Sequence, residues 1–90
     1  MTMDDTTVPR LGHGFRLQWE EVQDCHVLLY PEGMVKLNRS AGEILSRCDG
    51  VASVAQLVSQ LETAFNVQGL RADVIAFLQM ARQQGWVRWS

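Results

Sequence analysis

The stretch Val27-Leu28-Leu29-Tyr30-Pro31-Glu32-Gly33-Met34-Val35-Lys36-Leu37 decides the fold. Its first part completes Cys25-His26-Val27-Leu28-Leu29-Tyr30, dense in apolar and β-favouring residues, which predicts a central strand. Tyr30-Pro31-Glu32-Gly33 sets Pro at the second position of a turn and Gly at the fourth, as a type I reversal prefers. Met34-Val35-Lys36-Leu37 then predicts a short third strand that closes a hairpin. Upstream, Phe15-Arg16-Leu17-Gln18-Trp19 alternates apolar and polar residues, the pattern of a first strand with one wet face, and the acidic run Glu20 to Asp24 predicts the turn between them. The outer side of the third strand has no later strand-like segment to pair with unless Trp86-Val87-Arg88-Trp89 returns to it, so an open edge is expected there.

Downstream the period changes from strand to helix. Ser40-Ala41-Gly42-Glu43 matches a capping box, with Asn38 as a competing N-cap, and the short helix is expected to end near Asp49-Gly50. Ser53-Val54-Ala55-Gln56 is a second capping box, followed by the amphipathic stripe Val54, Leu57, Val58, Leu61 and Phe65. After Gly69, a third helix carries Val74, Phe77, Leu78 and Ala81 on one stripe and ends at Gly85. Three strands followed by three helices predict an α+β fold, winged-helix-like, with a three-stranded antiparallel sheet packed on a helical cluster. Residues 1–14 show no period and are expected as a flexible N-terminal arm, leaving 15–90 as the domain.

A chain of 90 residues has room for one core. Its 47% hydrophobic and 20% charged content is that of a globular domain and excludes disorder. Eight Lys and Arg against ten Asp and Glu leave a net charge of −2, so no global positive field draws nucleic acid. The acidic start lacks the basic flank and apolar run of a secretory signal, and the protein is expected in the cytoplasm. Cys25 and Cys48 stand alone and read as small buried hydrophobes.

Catalytic and metal chemistry find no footing. His13, Cys25, His26 and Cys48 lack ligand spacing, no Ser, His and Asp order suggests a nucleophile, and Gly12-His13-Gly14 precedes a strand and not a phosphate-binding helix. Neither a cofactor nor a metal is expected. The winged-helix order does admit a DNA-binding regulator as the alternative, yet from Leu70 to Gln84 the only cations are Arg71 and Arg82, poor equipment for reading base edges.

The open edge and the third helix carry the functional reading. At 100° per residue Val74, Phe77 and Ala81 centre on the core, while Arg71, Ile75, Leu78 and Arg82 lie along one flank. A peptide added as a strand to Gly33, Met34, Val35, Lys36 and Leu37 would form backbone hydrogen bonds there and set alternate side chains against that flank, the arginines meeting acidic residues of the guest. Equally, Ile75 and Leu78 complete the core or a dimer contact, and the edge pairs with a second copy in a homodimer.

The runs Phe15 to Glu20, Val27 to Asn38, Ser40-Ala41 with Ile44-Leu45 and Asp49-Gly50, and Phe77-Leu78 with Gly85-Trp86 resemble the PqqD family of pyrroloquinoline quinone (PQQ) biosynthesis, over nearly everything after the arm. The stretch Leu29 to Asn38 is the most specific part. The resemblance implies a non-catalytic chaperone, a recognition element for a ribosomally made and later modified (RiPP) precursor. Such a chaperone holds the precursor peptide PqqA and presents it to the radical SAM enzyme PqqE, which joins a Glu and a Tyr of that peptide. It also implies that the peptide lies beside the third strand, against the third helix. Ala81 departs from the family, which often carries a larger aliphatic residue there.

Overall fold

Period-two alternation and paired caps place most elements where the sequence predicts them. The computed structural model describes residues 3–89, so Met1 and Thr2 of the expected arm and Ser90 of the expected domain lie outside the described residues. In chain order the elements are β1 (Arg10–Leu11), β2 (Arg16–Glu20), β3 (Cys25–Tyr30), β4 (Gly33–Lys36), α1 (Arg39–Ser46), α2 (Val54–Phe65), α3 (Arg71–Gln83) and β5 (Val87–Arg88). Strands β2, β3 and β4 form a three-stranded antiparallel sheet in that order, followed by the three helices, which is the expected α+β, winged-helix-like arrangement.

Register fixes which side of the sheet meets the helices. Leu17 and Val35 flank Leu28 from either side, and Leu28 is fully buried in the core with Leu45, Leu57, Leu61 and Leu78. His26 lies on the same face and packs on α1 so closely that a Cβ at Gly42 would sit 2.6 Å from its Nδ1. Glycine inside this helix is therefore a matter of approach distance. Of the two competing N-caps of α1, Asn38 holds the role: its backbone is extended and its Oδ1 accepts the Ala41 N–H at 2.8 Å, while Ser40 is already within the first turn. The second box forms in full, with Gln56 N–H donating to Ser53 Oγ and Ser53 N–H donating to Gln56 Oε1.

The N-terminal segment departs from expectation. Residues 3–12 are tied to the body of the domain, with Pro9 and Gly12 buried. The first N–H groups of α2 have no partner within the helix, and the segment supplies them: Val54 donates to the Thr7 carbonyl at 2.8 Å and Ala55 to the Asp5 carbonyl at 3.1 Å. Pro9 is buried and its carbonyl accepts from Gly50. Strand β1 then pairs with β5, Arg10 opposite Arg88 and Leu11 opposite Val87. These contacts are made by main-chain carbonyls, which is why no side-chain period announces them. At the other end, Gly85 takes a left-handed φ of 81°, and the Trp86 N–H donates to the Ala81 carbonyl at 2.9 Å, closing α3 and turning the chain toward β1. The Trp86 to Trp89 segment thus returns to β1 and leaves the outer side of β4 open among the described residues.

Candidate peptide-binding edge and helix flank

The hydrogen-bond phase of the hairpin determines what the open edge offers. Leu37 N–H donates to the His26 carbonyl at 3.1 Å, and β3 pairs with β4 as Leu28 with Val35 and Tyr30 with Gly33. Antiparallel ladders alternate between bonded and non-bonded pairs, so Gly33, Val35 and Leu37 direct their main-chain groups to β3, and Met34 and Lys36 direct theirs outward. Of the five residues expected to form the edge, two carry its free donors and acceptors. The other three anchor it: Val35 is half-buried and Leu37 is buried in the core. Met34 and Lys36 also expose their side chains on the far face of the sheet.

The expected helix wall needs a larger correction. Leu78 is 0% exposed and belongs to the core, together with Val74 and Ala81, so it cannot line an open groove. The stripe centres on Val74, Leu78 and Ala81, and Phe77 moves to the flank opposite Arg71, Ile75 and Arg82, where it is half-buried. Both arginines are engaged. Arg71 Nε and Nη2 each lie 2.9 Å from Asp5 Oδ1, and the Arg82 guanidinium lies 4.7 Å over the Trp89 ring. Ile75 packs half-buried against the core, as do Val35 and Phe77. Met3 joins Arg82 and Trp89 around a cleft beside α3.

Two exposed carboxylates, Asp4 and Asp49, collect hydrogen bonds from their own turns. The Thr6 hydroxyl and then the Thr6 N–H donate to Asp4 Oδ1 at 2.6 and 2.8 Å, which holds the Asp4 carboxyl below its ordinary value. The N–H groups of Ala52 and Val51 do the same for Asp49 where α1 gives way to α2. Burial raises the Cys48 thiol to about 12, helped by the Asp49 charge. Among the described residues no three His, Cys, Asp or Glu side chains gather as metal ligands would, and no helix is long and apolar enough to cross a membrane.

Residues 25–87 match the family model described as coenzyme PQQ synthesis protein D (PqqD). The chain belongs to the PqqD family. A "PqqA binding protein" of Azotobacter vinelandii is 51% identical over 89 residues, covering 94% of this chain and 97% of its own. A protein of the same description from Pseudomonas aeruginosa (strain UCBPP-PA14) is 56% identical over 82 residues, covering 90% and 89%. The solution structure of the PqqD truncation of Methylobacterium extorquens PqqCD is similar, with a TM-score of 0.78 and 30% identity over 97% of this chain and 95% of that one. That PqqD is described as a functional, stand-alone RiPP recognition element. The heterocyclase TruD shares the fold alone, at a TM-score of 0.70 and 19% identity, over 93% of this chain and 12% of that one.

Within this PqqD-family chain, sequence reasoning missed the N-terminal segment. Two signals were legible: Asp4-Asp5-Thr6-Thr7 has the composition of a side-chain-bonded turn, and Trp86-Val87-Arg88-Trp89, rich in β-favouring residues, calls for a strand partner. No such signal marks Phe77, whose flank is decided by which neighbour of the apolar stripe the remaining core covers.

Proposed function

We propose that this protein binds the precursor peptide PqqA of PQQ biosynthesis as an added strand on β4 and presents it to the radical SAM enzyme PqqE, itself making and breaking no covalent bond. The observation that carries this reading is the outward aim of the Met34 and Lys36 main-chain groups on an edge with no partner strand among the described residues. The names of the relatives and the recognition-element description of the solved PqqD support it. Arg71, Ile75 and Arg82 supply the polar and apolar flank of α3, with Phe77 on the other side of the core stripe. Residence in the cytoplasm, where the precursor is made, goes with this role.

Titration of isotope-labelled protein with synthetic PqqA tests it. Amide shifts concentrated at Met34 and Lys36 are expected, and binding that leaves both unmoved overturns strand addition. Sizing over a concentration series tells whether a second copy takes the same edge as a homodimer. Steeply salt-dependent binding to duplex DNA, with no response to the peptide, would favour a winged-helix regulator instead.

A further inference from the structure

The flank of α3 is already occupied, and its occupant has a readable pattern. Asp5 meets Arg71 through two nitrogens, both 2.9 Å from one carboxylate oxygen, and the Asp5 carbonyl receives the Ala55 N–H at the start of α2. Two residues earlier, Met3 packs against the core and enters the cleft of Arg82 and Trp89. The segment is therefore held as an apolar residue followed two positions later by an acid, one side chain in the cleft and the other on the guanidinium. The ion pair joins residues 66 apart in sequence, so neither neighbour-to-neighbour geometry nor helix spacing imposes it.

We propose that this flank of α3 is a recognition surface for an acidic segment with an apolar residue two positions before the acid, and that the side chains of Met3 and Asp5 are its resident occupants, displaced when such a guest docks. The side-chain exchange at Arg71 costs little, because the Asp5 and Thr7 carbonyls stay on the first N–H groups of α2. Each member of the Arg71–Asp5 pair keeps 56% of its side chain exposed, and exposed pairs contribute little to stability. The displaced carboxylate returns to water, and the incoming one takes over the same two donors. The resident has the advantage of being tethered, which acts as a high local concentration and sets a threshold that a weak or wrongly patterned guest fails to cross. Main-chain pairing on β4 reads no side chains, so this exchange adds discrimination to the proposed peptide binding, on which it rests.

The full chain and synthetic PqqA provide the test, with affinities from calorimetry and site-specific signals from NMR. Asp5→Asn keeps the carbonyl that caps α2 and removes the charge, so it is expected to tighten PqqA binding by about threefold, the scale of an exposed ion pair. Arg71→Gln is expected to weaken binding and to erase the gain from Asp5→Asn in the double variant. Met3→Ser, which empties the cleft, is expected to tighten binding independently. The Arg71 Nε–H and Trp89 indole signals should move on titration of the unaltered chain. Unchanged affinity in Asp5→Asn and Met3→Ser, with Met34 and Lys36 still shifting, overturns displacement and leaves strand addition standing. Shifts at Arg71 and Trp89 without any at β4 overturn strand addition alone. Absence of binding in every variant overturns both.

Discussion

The N–H of Leu37 points at the carbonyl of His26, and this one bond, at 3.1 Å, sets the phase of the entire β3–β4 ladder. Proline substitutions read that phase directly, because proline removes a single donor. Val35→Pro deletes a donor that β3 uses and is expected to destabilise the domain, lowering its midpoint in denaturant. Met34→Pro and Lys36→Pro delete outward donors. They are expected to leave the fold intact by circular dichroism and to weaken PqqA binding by at least the about fivefold that one net hydrogen bond represents.

The contact of Gly42 with His26 is a packing limit on α1. Alanine is a better helix former than glycine by about 1 kcal/mol, yet its Cβ would stand 2.6 Å from Nδ1, so Gly42→Ala is expected to lower stability by about 1–3 kcal/mol. Adding His26→Ala should restore part of the loss. Urea titrations of the single and double variants check the coupling.

The two cysteines should differ in reactivity. Cys48 is buried, with its thiol raised to about 12, whereas Cys25 is partly exposed. A thiol-reactive dye at neutral pH is expected to label Cys25 in the folded protein and Cys48 only on unfolding, read by mass spectrometry. The raised value also has a stability consequence. Above about 9.0, the ordinary value, the unfolded chain ionises this thiol while the folded chain does not, so stability falls from there toward pH 12. Cys48→Ala should flatten this alkaline loss, although its cavity lowers stability throughout.

Asp49 works in the opposite direction. Its carboxylate accepts the N–H groups of Val51 and Ala52 at 2.9 and 3.0 Å, and its folded value lies below the ordinary 3.8. Its contribution is therefore complete above pH 3.8 and disappears as acid titrates the folded carboxylate. Asp49→Asn retains the acceptor oxygen and removes the charge. Thermal melts of this variant should show a shallower acid limb than those of the unaltered chain.

The hairpin was legible because its information is local: alternation in Leu17 to Trp19, a Pro-containing turn at Tyr30 to Gly33, and the capping pair Ser53 and Gln56 each act within a few residues. The edge as a whole was also legible, but not its division between Met34 and Lys36 and their neighbours, which depends on register across two strands. Leu78 was misjudged because 100° spacing places residues around a helix but not the direction from which the core approaches. The packed N-terminus was missed for a different reason: carbonyls of Asp5 and Thr7 do the holding, and every residue type carries one.

The brevity of β4 has a thermodynamic corollary. Met34 and Lys36 each offer one donor and one acceptor, so a guest paired along their backbone gains about 2–6 kcal/mol net. Immobilising a partner costs about 4–15 kcal/mol, which offsets most or all of that gain. An arbitrary extended chain therefore finds this border too short to grip, and promiscuous capture or runaway self-association is discouraged by geometry alone. Whatever stays bound must do so through its own side chains.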